Sequence, residues 1–324
     1  MAFTSAAVAG ALLSFNRSDD AGADNHFDVI IIGGSYGGLS AAMALGRSLR
    51  RVLIIDGGKP CNRSTPHSHN FLTRDGEAPG AIADKGRAQV LHYKTVQLVE
   101  DIAVKGSRSG ALFAITTLSG KTFTGKKLLF ATGLKDIMPP VAGFSDCWGV
   151  SILHCPYCHG YEVKGKKTGI LANGEAAVHY AQLVTNLTTD LTIYTNEAAT
   201  FTPEQQQLLA RNNVRIVAGK IKALVHQQGH LEKIVLEDGA SYPLHALYNR
   251  PAYEQHCHIP AELGCEFTDL GLIKVSSTQQ TTIPGVYACG DNSSMRSVAT
   301  AVYTGSMAGS GINMDLCAAT FHSK

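Results

Sequence analysis

The chain has very little excess charge and no long apolar segment, and both absences exclude classes of function. Its 28 Lys and Arg stand against 26 Asp and Glu, so the formal net charge is only +2. The basic residues form no stripe or tail of the kind that binds nucleic acid or a membrane surface. The apolar stretch 6–15 is too short to span a bilayer and has no basic segment before it. The composition therefore predicts neither a nucleic-acid partner nor a membrane protein.

The first residues and the cysteines give indications of the cellular compartment of the protein. Residues 1–25 join the apolar stretch to a polar, acidic segment, and we interpret them as a flexible leader, with a weak signal peptide as the alternative. Eight cysteines scattered through 324 residues do not suggest the disulfide framework of a small secreted domain. We therefore expect a cytoplasmic location.

One pair of cysteines, in Cys155-Pro156-Tyr157-Cys158, has the spacing of a redox motif. Two such thiols close a small disulfide at the start of a helix, where the helix N-terminus lowers a thiol pKa. The pair then exchanges with other disulfides or passes two electrons to a flavin. Zinc is the best non-redox alternative, but there is no second Cys-x-x-Cys. His154, His159 or His256-Cys257-His258 would have to complete the ligand set.

A glycine-rich loop near the start predicts a dinucleotide site. An apolar strand at 27–32 leads into Gly33-Gly34-Ser35-Tyr36-Gly37-Gly38, and an Ala-rich helix and a second strand follow. Ser35 replaces the second glycine of the G-x-G-x-x-G fingerprint, and the neighbouring glycines give the loop its freedom instead. The second strand ends at Asp56, where an acid binds a ribose hydroxyl pair. The predicted cofactor-binding residues here are Gly33, Gly34, Ser35, Tyr36, Gly37, Gly38, Asp56 and Gly57.

The order of strands and helices indicates two copies of one plan, each a βαβ unit with a β-meander. We predict an α/β fold of two Rossmann-like nucleotide-binding domains, of the three-layer ββα type, the first discontinuous. The first domain is expected to comprise residues 26–141 and 250–324. The second is expected to comprise 142–249 and to carry the cysteine pair. Near the C-terminus, Gly290-Asp291 follows a strand, so that the carboxylate can reach a ribityl hydroxyl and the next helix can aim its positive end at a flavin ring.

These motifs together resemble the low-molecular-weight thioredoxin reductases, which are FAD-dependent pyridine nucleotide-disulfide oxidoreductases. The glycine loop, Asp56, Ala131-Thr132-Gly133, the cysteine pair and 285–291 follow the family's order and spacing. The resemblance implies FAD in the first domain, a nicotinamide cofactor in the second, a homodimer, and a large domain rotation during catalysis. It further implies cofactor contacts from Asn70, Thr132, Gly133, Gly290, Asp291, Ser297 and Val298.

The residue after the second cysteine departs from the family, which usually has an aspartate there. This chain has His159, and its Cys-His-Gly pattern, with 70–76 upstream, is more similar to the dithiol oxidases that form disulfides in gliotoxin- and holomycin-type metabolites. A histidine that titrates near neutral pH suits proton transfer to or from a thiolate. The alternative is a turn residue without a chemical role. The predicted catalytic residues are Cys155, Cys158 and His159, with His67 and His69 as candidates for the substrate side.

The second nucleotide site departs from the family too. Of the glycines expected after the strand at 167–171, only Gly174 remains. The segment after the strand at 191–194 contains Glu197 and no cation that could clamp a 2′-phosphate. An acid there suits a ribose hydroxyl better. The resemblance predicts NADPH whereas these residues argue against it, so NADPH, NADH and a donor such as ferredoxin all stay open.

The sequence therefore predicts an FAD-dependent, thioredoxin reductase-like disulfide oxidoreductase. Electrons would pass between FAD and the Cys155–Cys158 disulfide, and on to a thioredoxin-like protein or a small disulfide. The alternatives are a dithiol oxidase that uses FAD and oxygen, or a reductase fed by ferredoxin. The non-enzyme alternative is a flavin-binding redox sensor.

Overall fold

The computed structural model describes residues 25–322. The strands are β1 (His26–Ile32), β2 (Val52–Asp56), β3 (Val96–Glu100), β4 (Ala103–Ser109), β5 (Leu112–Thr117), β6 (Thr122–Phe130), β7 (Leu134–Ile137), β8 (Ile152–Leu153), β9 (Thr168–Leu171), β10 (Leu191–Tyr194), β11 (Arg215–Val217), β12 (Ile221–Gln227), β13 (His230–Leu236), β14 (Ser241–Pro243), β15 (Ala246–Tyr248), β16 (Ala252–Gln255) and β17 (Val286–Ala288). The helices are α1 (Tyr36–Arg47), α2 (Pro79–Leu91), α3 (Phe144–Cys147), α4 (Pro156–His159), α5 (Gly174–Val184), α6 (Pro203–Arg211), α7 (Ile259–Glu262) and α8 (Val298–His322).

The first sheet joins strands from both ends of the described chain. Its order is β3-β2-β1-β6-β5-β4, and β17 pairs with β6. Strands β1, β2, β3, β6 and β17 pair in parallel, whereas β4, β5 and β6 form an antiparallel meander. The sequences of β1 and β2 are almost continuously apolar because both faces of these strands are covered. The sheet is thus completed by a strand far along the chain, as expected for a discontinuous Rossmann-like part.

Layers of different kinds cover the two faces of this sheet. Helices α1 and α8 pack on one face, where Leu45 and Ile312 are fully buried. The other face carries the meander and the segment around α7, with Phe113 and Ile115 in its core. Helices α1 and α8 can approach this closely because Gly305 of α8 has no side chain. A Cβ there would overlap the backbone at Gly37. This arrangement confirms the predicted α/β fold class with its three-layer ββα plan.

The second sheet repeats the plan on a smaller scale. Its order is β11-β10-β9-β15-β8, every pairing is parallel, and the β12-β13-β14 meander lies beside it. Two chain crossings connect the parts, and their strands β7 and β16 pair antiparallel, with Leu134 opposite Gln255. The carboxyl ends of the parallel strands in each sheet meet at one edge, which is where α/β proteins place their sites.

Some element boundaries differ from expectation. Helix α1 begins at Tyr36, inside the glycine-rich loop rather than after it, because Ser35 adopts the extended N-cap conformation. Helix α6 was not expected, since its sequence is polar, but Thr202 and Gln205 form a capping box and Pro203 occupies its first turn. The predicted leader, 1–25, lies outside the described residues except for residue 25. In the described range, no helix has both the length and the apolarity needed to cross a membrane.

Candidate functional site at the redox disulfide

The glycine loop between β1 and α1 forms a bare backbone cradle. Gly33 has φ +103°, and a Cβ there would overlap the carbonyl of Ala131. A Cβ on Gly38 would overlap the Gly33 carbonyl. The N-cap residue of α1, Ser35, makes no side-chain capping hydrogen bond, so the helix end faces the cradle without a cap of its own. The cradle suits an anion such as a pyrophosphate.

Asp56 ends β2 beside this cradle, as predicted. Its Oδ1 accepts a hydrogen bond from the amide of Gly34 at 3.0 Å, which fixes the carboxylate next to the loop. Its Oδ2 lies 3.7 Å from Nη2 of Arg87 on α2. Gly57 follows directly, and Tyr36 donates from its hydroxyl to the Pro79 carbonyl at 3.0 Å. The predicted loop, acid and first helix therefore come together at one end of the sheet.

The ends of β6 and β17 bring the second group of predicted residues to the same edge. Gly290 donates its amide to Oγ1 of Thr304 at 3.0 Å. Burial raises the pKa of Asp291, although a nearby arginine opposes the shift. The fully buried Asn292 donates to Oγ1 of Thr132 at 3.2 Å. Gly133 has φ +65°, which is the left-handed conformation that glycine adopts readily.

Three residues at this edge, Arg296, Asp136 and Asn292, have contacts that the sequence did not indicate. Arg296 binds Asp136 of β7 through two hydrogen bonds of 2.6 and 3.1 Å, and its Nε lies 3.6 Å from Oδ2 of Asp291. Oδ1 of Asn292 is buried without a hydrogen-bond partner among residues 25–322. The only sequence signal for Arg296 is its position just before α8. Ser297 caps that helix by accepting from the Thr300 amide at 3.0 Å, so its hydroxyl is already engaged.

Cys155 and Cys158 form a disulfide with a Cα–Cα distance of 5.3 Å. The pair follows β8, at the carboxyl edge of the second sheet. Cys155 is the N-cap of α4, and the amide of Cys158 lies 3.2 Å from the Cys155 sulfur. That contact can stabilise a thiolate on Cys155 after reduction. The described residues contain no group of three or more His, Cys, Asp or Glu that could hold a metal ion, so the zinc alternative finds no ligand set there.

His159 lies between the disulfide and the loop that carries His69. The rings of His159 and His69 meet edge to face, with centroids 6.3 Å apart. Burial lowers the pKa of His159, and the neighbouring His69 lowers it further. The lowered pKa favours the neutral imidazole, which can accept a proton from a thiol. His69 also lies 3.5 Å from Oε1 of Glu162, whereas His67 contacts the Gly76 carbonyl at 3.0 Å.

The N-terminus of α5, where the second nucleotide would bind, is capped by Asn173, which also binds the segment after β10. Oδ1 of Asn173 accepts from the amides of Gly174 at 2.9 Å and Thr200 at 3.0 Å. Its Nδ2 donates to the Ala198 carbonyl at 2.8 Å and lies 3.3 Å from Oε1 of Glu197. The segment after β10 therefore folds over the helix end. The side chains of Asn173 and Glu197 therefore lie together at this helix start.

Comparison with known proteins decides the family. The family model described as pyridine nucleotide-disulphide oxidoreductase matches residues 27–305. The chain belongs to this family. It is 33% identical over 297 residues to "Thioredoxin reductase tcpT" of Claviceps purpurea, covering 88% of this chain and 92% of the relative. It is 31% identical over 310 residues to "Thioredoxin reductase sirT" of Leptosphaeria maculans, covering 89% and 93%.

Solved structures of family members agree in fold. An oxidoreductase from Agrobacterium tumefaciens is 37% identical with a TM-score of 0.85, covering 90% of this chain and 99% of that chain. The structure of HlmI is 30% identical with a TM-score of 0.88, covering 93% and 95%. The protein is therefore an FAD-dependent, thioredoxin reductase-like disulfide oxidoreductase, which confirms the predicted family and enzyme class.

The first nucleotide edge fits the family's cofactor. The cradle at Gly33 and Gly38 is space that a Cβ would fill, and the buried Oδ1 of Asn292 leaves an acceptor for a ligand. Asp56 and Asp291 lie at the two strand ends between which a dinucleotide would stretch. FAD, when bound there, supplies the two-electron chemistry that couples to the disulfide.

Proposed function

We propose that this protein oxidises a small-molecule dithiol to its disulfide and takes no electrons from a nicotinamide cofactor. The filled N-terminus of α5 carries the proposal. A dinucleotide site needs free backbone amides at a helix start for its pyrophosphate. Here the N-cap Asn173 already accepts from the first amide of the helix, that of Gly174, and from the amide of Thr200 in the segment after β10. Glu197 adds negative charge where a 2′-phosphate would lie.

The direction of electron flow follows from the loss of that donor site. Without a nicotinamide cofactor, a substrate dithiol is the source of electrons that the redox pair itself can recognise. The resemblance of the Cys-His-Gly pattern to dithiol oxidases supports the same direction. Dioxygen then serves as the terminal acceptor and is reduced to hydrogen peroxide by the two electrons and two protons that leave the dithiol.

His159, Cys155 and Cys158 have different roles in the proposed thiol–disulfide exchange. His159 accepts the proton of one substrate thiol, and the thiolate attacks Sγ of Cys155. The Cys155–Cys158 bond breaks, a mixed disulfide forms, and Cys158 leaves as a thiolate. The second substrate thiol gives its proton to the Cys158 thiolate and attacks the substrate sulfur of the mixed disulfide, which releases the substrate disulfide and the Cys155 thiolate. By family analogy, Cys158 faces the flavin and Cys155 faces the substrate.

An anaerobic titration of the FAD-loaded protein tests the proposal. Dithiothreitol, NADPH, NADH and reduced ferredoxin are added separately while the flavin absorbance is followed. We expect rapid bleaching by the dithiol and none by NADPH or NADH, because the helix end that would hold them is filled. Air should then restore the colour with one hydrogen peroxide formed per dithiol.

Other outcomes assign other functions. Prompt bleaching by NADPH or NADH would overturn the proposal in favour of a nicotinamide-dependent reductase. Bleaching by reduced ferredoxin and not by the dithiol would indicate a ferredoxin-type reductase. The matched control is Cys158→Ser, which should keep its FAD and bleach with dithionite but lose the response to dithiol.

We propose that the predicted cofactor residues form the FAD site, in a domain made of residues 26–141 and 250–324. Residues 142–249 would form the domain that carries the redox pair. The convergence of four strand ends at one edge of the first sheet supports this division. Fluorescence of the bound flavin after single substitutions would test each assignment. The proposed FAD-binding residues are Gly33, Gly34, Ser35, Tyr36, Gly37, Gly38, Asp56, Gly57, Asn70, Thr132, Gly133, Gly290, Asp291, Ser297 and Val298.

We also propose that the protein is a homodimer that uses one face of α8. Tyr303, Met314 and Phe321 are 62%, 65% and 80% exposed. Tyr303 and Phe321 lie about five turns apart on the helix, and Met314 about two turns before Phe321, so the three side chains share one side. Sedimentation velocity should show a dimer that Met314→Asp weakens. A monomer at all concentrations would contradict the proposal.

A reducing compartment such as the cytoplasm suits this chain, and we propose that location. Six cysteines of the described range are free thiols beside the single disulfide, and oxidising compartments tend to pair such thiols. Cell fractionation with an antibody to the protein would test it, and recovery in a secretory fraction would contradict it.

A further inference from the structure

A cavity of about 300 Å³ opens beside the redox disulfide. Tyr157, on its wall, stands between the two cysteines in sequence, and His69, also on its wall, contacts the ring of His159. A molecule in this cavity therefore contacts the residue that separates the two cysteines and a histidine that touches His159. The lining residues are His69, Asn70, Asp75, Tyr157, Tyr161 and Glu162.

The cavity wall carries negative charge without a lysine or arginine among its lining residues. Asp75 and Glu162 flank His69, at 3.6 and 3.5 Å from its two ring nitrogens. Glu162 is 39% exposed and Asp75 68%, so both keep contact with solvent and can meet an incoming molecule. The nearby Lys164 places its ammonium 3.5 Å from the ring centroid of Tyr161, outside the lining.

Two tyrosines of the cavity wall also favour a positively charged molecule. Tyr157 and Tyr161 are 70% and 71% exposed, and one face of Tyr161 already holds the Lys164 ammonium, so Tyr157 provides the more accessible ring. Aromatic faces attract cations through their quadrupole, as the position of Lys164 over Tyr161 shows for one ring. Carboxylates and aromatic faces together favour an ammonium group and disfavour a carboxylate.

We infer that this cavity selects small dithiols that carry a protonated amine and discriminates against dithiols that carry carboxylates. The inference rests on the proposed dithiol oxidation and adds the charge of the substrate to it. Glu162 provides most of the attraction because it is the less exposed of the two acids. Partly exposed charges interact weakly, so we expect a preference of roughly tenfold.

Three dithiols of different charge test the inference. Dithiothreitol is neutral, its amino analogue dithiobutylamine is a cation, and dimercaptosuccinate is a dianion. Because their thiol acidities differ, the readout is the change in the cation-to-anion ratio of kcat/KM between the natural protein and the variant Asp75→Asn with Glu162→Gln. We expect this ratio to fall roughly tenfold in the variant. The matched control Glu232→Gln, an exposed acid on β13, should leave the ratio unchanged.

The outcomes separate the two proposals. If dithiothreitol is not oxidised in air, the proposed function fails, and the anaerobic bleaching rates with the three dithiols still report the charge preference. A ratio that changes less than twofold in the variant would overturn the inference, as would a natural preference for dimercaptosuccinate that the variant retains. FAD content and the thermal unfolding midpoint establish that the variant is folded.

Discussion

The carboxyl edges of the two parallel sheets share a topology and differ in the residues that lie at the helix start. Each lies at the carboxyl ends of parallel strands, before a helix N-terminus. At the first edge the backbone of Gly33 is bare and a Cβ would clash. At the second, Asn173 occupies the helix start and Glu197 lies beside it. From this difference we expect a few side chains to decide whether a Rossmann-like edge binds a nucleotide.

The largest expected effect comes from adding one methyl group to each edge. In Gly38→Ala the new Cβ would overlap the Gly33 carbonyl, so the loop must shift and FAD should be lost almost completely. In Gly174→Ala the Cβ would lie 3.1 Å from Oγ1 of Thr200, with φ +55°. That costs about 1 kcal/mol of stability and should leave FAD in place. The ratio of flavin to protein absorbance in the purified proteins measures both.

The proposed difference between the two edges would be contradicted if both variants kept the same amount of FAD, or if Gly174→Ala lost as much FAD as Gly38→Ala. Far-ultraviolet circular dichroism separates loss of cofactor from loss of fold. A Gly38→Ala protein with native secondary structure and no flavin would locate the defect in the cradle.

The sequence was sufficient for features that depend on local spacing. The apolar strand, the loop at Gly33 and the acid at Asp56 lie within one βαβ unit, so their contacts follow from chain order. The cysteine pair is likewise local. Contacts between distant residues could not be predicted, because nothing in the sequence pairs Arg296 with Asp136 or places His69 between Asp75 and Glu162.

The second edge, at the N-terminus of α5, shows the same limit of prediction from sequence. The missing glycines and the acid at Glu197 indicated that the nicotinamide site was altered. The sequence did not show that Asn173 binds the amide of Thr200, since that hydrogen bond depends on how the segment after β10 folds back. The loss of the glycines could be read from the sequence, whereas the hydrogen bonds that Asn173 makes at the helix start could not.

The burial of His154 should appear as pH-dependent stability. His154, at the end of β8, has a pKa lowered to about 4 by burial and by the nearby Arg296. Because the unfolded chain has the ordinary value of 6.5, it binds more protons between these values. The stabilisation is therefore present above pH 6.5 and is lost as the pH falls towards 4. Between pH 7.5 and 4.5 the loss should be about 2 kcal/mol.

Urea unfolding of His154→Gln measures that contribution. The drop in midpoint between pH 7.5 and 4.5 should be smaller in this variant than in the natural protein. His230→Gln, which removes an exposed histidine of β13, should leave the drop unchanged. Equal drops in all three proteins would show that His154 is not the group that couples acid to unfolding.

A smaller effect is expected from removing the side chain of Asn173, which caps α5 at the second edge. Asn173→Ala deletes the cap of α5 and the hydrogen bonds to Thr200 and Ala198, which should cost about 1–2 kcal/mol. FAD content and dithiol turnover should not change, because the side chain contacts neither site. Thr202→Ala removes the cap of α6 and provides the comparison, at about 1 kcal/mol. An unchanged urea midpoint in Asn173→Ala would contradict a structural role for this side chain.

The smallest effect should come from neutralising the acid at the same edge. Oε1 of Glu197 lies at the long distance of 3.3 Å from Asn173, so Glu197→Gln should change stability by less than about 0.5 kcal/mol. It should also leave NADPH and NADH unable to bleach the flavin, because Asn173 still caps the helix at the Gly174 amide. Stopped-flow absorbance with each nucleotide measures this. If Glu197→Gln alone gave rapid bleaching by NADPH, charge rather than occupancy would bar the nucleotide, and the difference between the two edges would reduce to a single carboxylate.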